Sequence, residues 1–212
     1  LILNAIVLEG INAQMASAIG QLPRVKKITK DKEIKVNDFS TFSPISSSND
    51  SESAINQNFN ITSNTTTIAF FDTGVDYTHP ALNKYYLGGY DYVNNDSDPM
   101  DDHGHGTHCT GIAVGNETRS TYNSFNGVAP DTPYYSYKVL NEDGVGYTSA
   151  FLQAFEQAMD PNNDGDFSDH VDIISISAGD PEGDSDDPLS EAAQNAVSAG
   201  IIVVSAAGNQ GP

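Results

Sequence analysis

The chain has 212 residues, 38% of them hydrophobic, and 29 acids against 9 bases give a formal charge of -20. That hydrophobic content suffices for a buried core and excludes global disorder, while the acidic balance excludes nucleic acid and anionic membrane surfaces, which demand a basic face. The single cysteine, Cys109, excludes an internal disulfide framework, and no run approaches the roughly 20 apolar residues of a membrane helix.

Residues 1–36 read as a small unit of their own. Leu1–Leu8 is an apolar, strand-like run, and Asn12–Leu22 carries Met15, Ala18, Ile19 and Leu22 at helical spacing before Pro23 closes it. Val25–Val36 alternates Ile28, Ile34 and Val36 with lysines, and residues 24–36 hold six of the nine bases. Two strands and a helix are too little for an independent core, so this unit reads as part of a larger domain. Residues 37–56, rich in Ser, Asn, Asp and Thr, read as a linker. The chain opens at Leu1 rather than Met, so its lack of a targeting segment carries no weight. The Asn-x-Ser/Thr sequons at Asn49, Asn60, Asn64, Asn95 and Asn116 are within what such a composition supplies by chance.

Residues 57–212 form the main domain, and from Thr66 apolar runs alternate with helical stretches. Strands are expected at Thr67–Phe71, Thr132–Leu140, Val171–Ser177 and Ile201–Ala206. Helices are expected at 105–115, Thr148–Met159 and Leu189–Ala199. Strands alternating with helices predict an α/β fold with a mainly parallel, doubly wound sheet and helices on both faces. Ligands of such sheets bind beyond the carboxyl ends of the strands. Asp72 and Asn209 both stand at that end of their strands.

Three local patterns carry chemistry. Asp72-Thr73-Gly74 has the form of an aspartic-protease turn, but that mechanism needs a second copy and the chain has none. His103, His105 and His108 fall within six positions and suit a zinc site, which keeps a metal-dependent hydrolase open. Asp160, Asn162, Asp164, Asp166 and Asp169 place oxygens at near-alternate positions around Gly165, the first half of a calcium-binding loop. The acid expected at the twelfth position is replaced by Val171. A non-catalytic calcium-binding protein is therefore the other alternative.

Taken together, an acid at a strand end, a histidine at a helix start and an asparagine before a helix match three of four parts of a serine protease. The histidine takes the proton of a serine hydroxyl, the aspartate holds its tautomer, and the asparagine amide donates to the oxyanion. The stretches Asp72–Pro80, His105–His108 and Ala207–Pro212, with Gly127-Val-Ala-Pro and Tyr137-Lys-Val-Leu between them, resemble the successive signatures of subtilisin-like serine proteases. The order Asp, His, then Ser is also that family's.

The resemblance implies a subtilisin-like sheet and a serine endopeptidase acting on polypeptides, with Asp72 as triad acid, His105 as base and Asn209 as oxyanion donor. No cofactor is implied for the chemistry, and Ca2+ would be structural. His103 and His108 then become neighbours rather than ligands, and Cys109 a small packed residue. Residues 1–36 resemble part of a ferredoxin-like propeptide, an intramolecular inhibitor, and the family implies secretion. Gly144, Val145 and Gly146 resemble the segment that pairs with extended substrate. Ser177, Ala178 and Gly179 resemble the strand lining the specificity pocket. Asp180, Glu182, Asp184, Asp186 and Asp187 depart from the family pattern, and are expected to bias the cleft toward basic or small side chains. No serine of residues 1–212 stands in the family's Gly-Thr-Ser-Met-Ala context. The nucleophile is therefore expected outside this stretch, which alone should be inactive.

Overall fold

A computed structural model describes residues 6–36, 66–116, 126–180 and 186–208. The expected linker at 37–56 and Asn209 lie outside the described residues.

In the first unit, helix α1 spans Ala13–Gly20, started by Asn12, whose side-chain oxygen accepts from the Met15 amide at 2.9 Å. That bond satisfies one of the amides a helix start leaves without a partner. The strand expected at 1–8 does not form over residues 6–8, where Ile6, Val7 and Leu8 are exposed. A strand needs a neighbour to complete its ladder, and the neighbour expected at 25–36 is engaged elsewhere. Only its last residues, Glu33–Val36, are extended, as β1.

The main domain begins with β2 at Ile68–Asp72, whose five residues are all buried, as a continuous apolar run in a sheet covered on both faces requires. It is followed by β3 at Tyr86–Asp91, helix α2 at His105–Val114 and β4 at Tyr134–Lys138. Then come β5 at Val145–Tyr147, α3 at Thr148–Met159, β6 at Ile173–Ile176 and β7 at Ala178–Gly179. Helix α4 at Pro188–Ser198 and β8 at Ile202–Ser205 complete the described elements.

The central sheet has the order β3-β4-β2-β6-β8, every pair parallel. Neighbouring residues of β2 serve opposite faces, as the two-residue strand period demands. Phe71 packs edge-on against Phe155 of α3 at 5.1 Å between ring centres, within a core shared with α4. Phe70 joins Leu82, Val114 of α2 and Tyr134 on the other side. Helices on both faces make this the doubly wound α/β arrangement the alternation predicted. Strand β3 was not expected, because Gly88 and Gly89 interrupt its apolar pattern and its register shifts between Tyr86 and Gly88. At the far edge, Ile202 and Val204 of β8 are 60% and 53% exposed.

A second sheet, β5-β1-β7, is antiparallel. In it Ile34 faces Gly146, Lys35 lies between Val145 and Gly179, and Val36 faces Ala178. Strand β1 is thus the middle strand of a sheet whose two edges come from the main domain.

Candidate active site

Parallel β2 ends at Asp72, and α2, packed across its end, begins at His105, so two residues 33 apart in sequence meet at the carboxyl edge of the sheet. His105 Nδ1 lies 2.6 Å from Asp72 Oδ1, with both side chains under 5% exposed. The Thr73 amide donates to the same carboxylate oxygen at 2.7 Å. Burial alone pulls the His105 pKa down. Hydrogen bonding to Asp72 and Cys109, and their charge, outweigh it and raise the pKa to about 10.

This approach depends on Gly106. A Cβ there would lie 2.1 Å from the Gly74 carbonyl oxygen and 3.1 Å from Asp72 Cβ, so α2 meets the turn after β2 backbone to backbone.

Residues that sequence reasoning did not single out hold the pair in place. Asp101 accepts hydrogen bonds from the amides of His103, Gly104 and Thr107, and from the hydroxyls of Thr73 and Thr107. Its burial opposes ionisation, but these bonds prevail and its pKa is lowered. An acid at a helix start also complements the helix dipole, and that was the available sequence signal. Thr73 Oγ1 accepts from the Gly106 amide at 2.9 Å, tying the Asp72 turn to α2. Lys138, fully buried at the end of β4, donates to the carbonyl of Thr73 at 2.7 Å and of Leu140 at 3.1 Å, and to Asp102 at 2.5 Å. One cation thereby joins the turn that carries Asp72 to the loop that precedes His105. A hydrophobic reading of Tyr137-Lys-Val-Leu gives no hint of it.

The three histidines do not gather as ligands. His103 and His108 are exposed, whereas His105 is buried. Among the described residues, the one set of three ligand groups within 4.8 Å of one another is Asp72, His105 and Cys109. Cys109 lies one turn along α2, its Sγ 3.8 Å and 3.9 Å from the two His105 ring nitrogens.

The residues expected to bind substrate are brought together, and they hold a peptide. Gly144 accepts from the Val36 amide at 2.9 Å, Val145 and Gly146 pair with β1 from one side, and Ala178 and Gly179 from the other. Ser177 joins β6 to β7. Val36 sits so close over Gly144 that a Cβ on Gly144 would be 2.5 Å from Val36 Cγ2 and 3.3 Å from His103 Nε2. The carboxyl end of β1 therefore points at the histidine-bearing loop. Upstream, Asp31 accepts from the Ser149 amide and hydroxyl at 2.9 Å and 2.6 Å, at the start of α3.

The loop after α3 uses its carboxylates locally. Asp160 accepts from the amides of Asp164 and Gly165, Asn162 from Asp164, Asp164 from Asp166, and Asp166 from Ser168. The carboxylates of Asp160, Asp164, Asp166 and Asp169 do not form a set within 4.8 Å. Of the acidic run, Glu182 and Asp184 lie outside the described residues.

A family model described as the subtilase family, Peptidase_S8, matches residues 63–212. Among curated relatives, the serine protease AprX of Bacillus subtilis is 32% identical over 200 residues, 92% of this chain and 44% of AprX. Thermitase of Thermoactinomyces vulgaris is 38% identical over 144 residues, 68% of this chain and 47% of thermitase. The thermophilic serine proteinase of Bacillus sp. strain AK1 is 38% identical over 148 residues, 68% of this chain and 33% of that protein. The chain spans between a third and a half of the length of these relatives.

Proposed function

Because this chain belongs to the subtilase family of serine-type peptidases, we propose that the protein carrying it is an endopeptidase working through an Asp-His-Ser triad. The observation that supports this most is the buried 2.6 Å pair of Asp72 and His105 beside a groove already holding an extended peptide.

In this reading His105 Nε2 removes the proton of a serine hydroxyl as the serine oxygen bonds to the scissile carbonyl carbon. The carbonyl oxygen becomes an oxyanion, and the Asn209 side-chain amide donates to it. The protonated imidazole, held by Asp72, then gives its proton to the leaving amine as the carbon–nitrogen bond breaks. A water molecule repeats the sequence to free the acyl group and restore the serine. The serine comes from outside residues 1–212, none of whose serines has the family's nucleophile context, so this stretch alone does not hydrolyse peptides.

A fluorophosphonate probe on the full-length protein tests the proposal. It should label a single serine, lose that label in His105→Ala, and be indifferent to chelators. Absence of labelling, with activity abolished by chelation, would instead support a hydrolase built on the histidine cluster.

Residues 1–36 serve as an intramolecular inhibitor in the same proposal, β1 filling the groove that a substrate would enter. An extracellular location is also part of it. The matches include relatives named as extracellular and as intracellular, so fractionation of the source cells decides that point.

The loop from Asp160 to Asp169 is proposed to bind calcium structurally, supported by the spacing of its oxygens around Gly165. Its carboxylates face backbone amides, so an ion would have to draw them into a common sphere. Saturating Ca2+ should then raise the melting temperature of the full-length protein, by mass action on the folded state. No shift, and no heat on titration, rejects the site.

A further inference from the structure

Strand β1 marks which side chains the groove accepts, and the most specific contact lies just before it. The Lys32 ammonium is 2.8 Å from Asp187 Oδ2 and 3.5 Å from Asp180 Oδ2. The two carboxylates flank different elements: Asp180 follows β7, and Asp187 precedes α4. Both are half-sheltered, their side chains 25% and 13% exposed. Asp187 divides its oxygens, Oδ1 accepting from the Leu189 amide at 2.9 Å to start α4 while Oδ2 faces the lysine.

The main chain fixes the same residue, since the Lys32 carbonyl accepts from the Thr148 amide at 3.0 Å. Two residues on, Ile34 is 2% exposed in apolar surroundings that include Phe151 and Phe155. A single cavity of about 310 Å3 is lined by Lys32, Ile34, Phe151, Asp180, Asp187 and Leu189. The Lys32 and Ile34 side chains therefore border one recess, Ile34 placed by the β1 ladder and Lys32 by its main-chain bond to Thr148. Farther along the acidic edge, Lys27 donates to the Asp186 carbonyl.

We propose that Asp180 and Asp187 form a cation subsite that favours polypeptide substrates carrying lysine or arginine two residues before the branched aliphatic residue that fills the place of Ile34. The proposal rests on the peptidase reading above. It assigns to two acids a selectivity that neither the triad nor the backbone ladder provides, because ladder hydrogen bonds are indifferent to side chains. Part-sheltered carboxylates keep more of their attraction for a cation than fully solvated ones. A glutamate at the same position would meet two like charges.

The test uses the full-length protein and three fluorogenic peptides copying residues 32–38, with Lys32 kept, replaced by Gln, or replaced by Glu. At low ionic strength, kcat/KM for the lysine peptide should exceed that for the glutamine peptide by about 3- to 5-fold, the range of one or two partly exposed ion pairs. The glutamate peptide should be slower still. The lysine preference should shrink at high salt. In Asp180→Asn/Asp187→Asn the ratio of lysine to glutamine peptide should fall to about 1. Asparagine caps a helix as well as aspartate does, so α4 keeps its start. Asp180→Asn alone, which caps no helix, should give an intermediate ratio.

A ratio near one in the unaltered protein overturns the subsite while the peptidase reading stands. A lysine preference that persists in the double variant also overturns it. If none of the peptides is cleaved and the fluorophosphonate labels nothing, both the reading and the subsite fall. Cleavage of an unrelated polypeptide but of none of these three overturns the subsite alone.

Discussion

Asp72→Asn, introduced into the full-length protein, is expected to lower kcat by about 10⁴-fold with little change in KM, as the same loss does in serine triads generally, subtilisin's included. The Asp72 carboxylate accepts from His105 Nδ1 at 2.6 Å, which fixes the proton of the neutral ring on Nδ1. Asparagine can turn its amide N–H toward Nδ1 instead. The ring proton then moves to Nε2, and the base has no lone pair where the serine hydroxyl needs one.

The same variant should change the pH profile. Asp72 is one of the groups that raise the His105 pKa to about 10, so its removal moves the acid limb of any residual activity to lower pH. Stability follows the same linkage. A histidine whose folded pKa lies above its unfolded value of about 6.5 contributes stability that is complete below about pH 6.5 and lost as pH rises toward 10. Denaturant titrations at pH 6 and pH 10 should therefore show a larger decline in the unaltered protein than in Asp72→Asn. Equal declines would mean that Asp72 does not hold the imidazolium.

Gly106→Ala carries the second large effect. By helix propensity alone the change favours α2 by up to about 1 kcal/mol. The new methyl group, however, would stand 2.1 Å from the Gly74 carbonyl oxygen and 3.2 Å from Asp72 Oδ1. The closer atom is backbone and cannot swing away, so the helix start must retreat from β2. Overpacking of this kind costs about 1–3 kcal/mol, enough to reverse the propensity gain. Displacing His105 by an ångström should cost about 100-fold in kcat. Gly111→Ala, in the same helix but with nothing within 4 Å of its new Cβ, should instead stabilise by about 0.5–1 kcal/mol. Thermal melts and turnover of both variants compare contact with propensity directly.

The Asp72–His105 pair was legible because it is compressed into short motifs: an acid closing an apolar run, and a histidine opening a glycine-bearing helix. Helix α3 was legible to its ends, since Thr148–Met159 combines an amphipathic stripe with clear boundaries. The support beneath the pair was not. Asp101 acts through five donors spread from Thr73 to Thr107, and Lys138 through carbonyls whose proximity arises only once β2 and β4 lie side by side. Such bonds leave no periodic trace. Strand β1 shows a third kind of limit. Its extended form follows from alternation, but its neighbours, at 145–147 and 178–179, are more than 100 residues away, and nothing local names them. Over residues 6–8 the apolar run erred in the opposite sense, since apolar content alone cannot supply a partner strand.

The ladder around β1 has a direction. Both neighbours run antiparallel to it, so a guest chain fits with its amino end toward Asp187 and its carboxyl end toward the histidine loop; a reversed chain would exchange donors for acceptors along both borders. At the upstream end, residues 6–32 continue outward from β1, past the acids that meet Lys32. The recess therefore holds an extended chain in one sense only. In the proposed endopeptidase, this polarity would make the local flexibility of a target the condition for being cut.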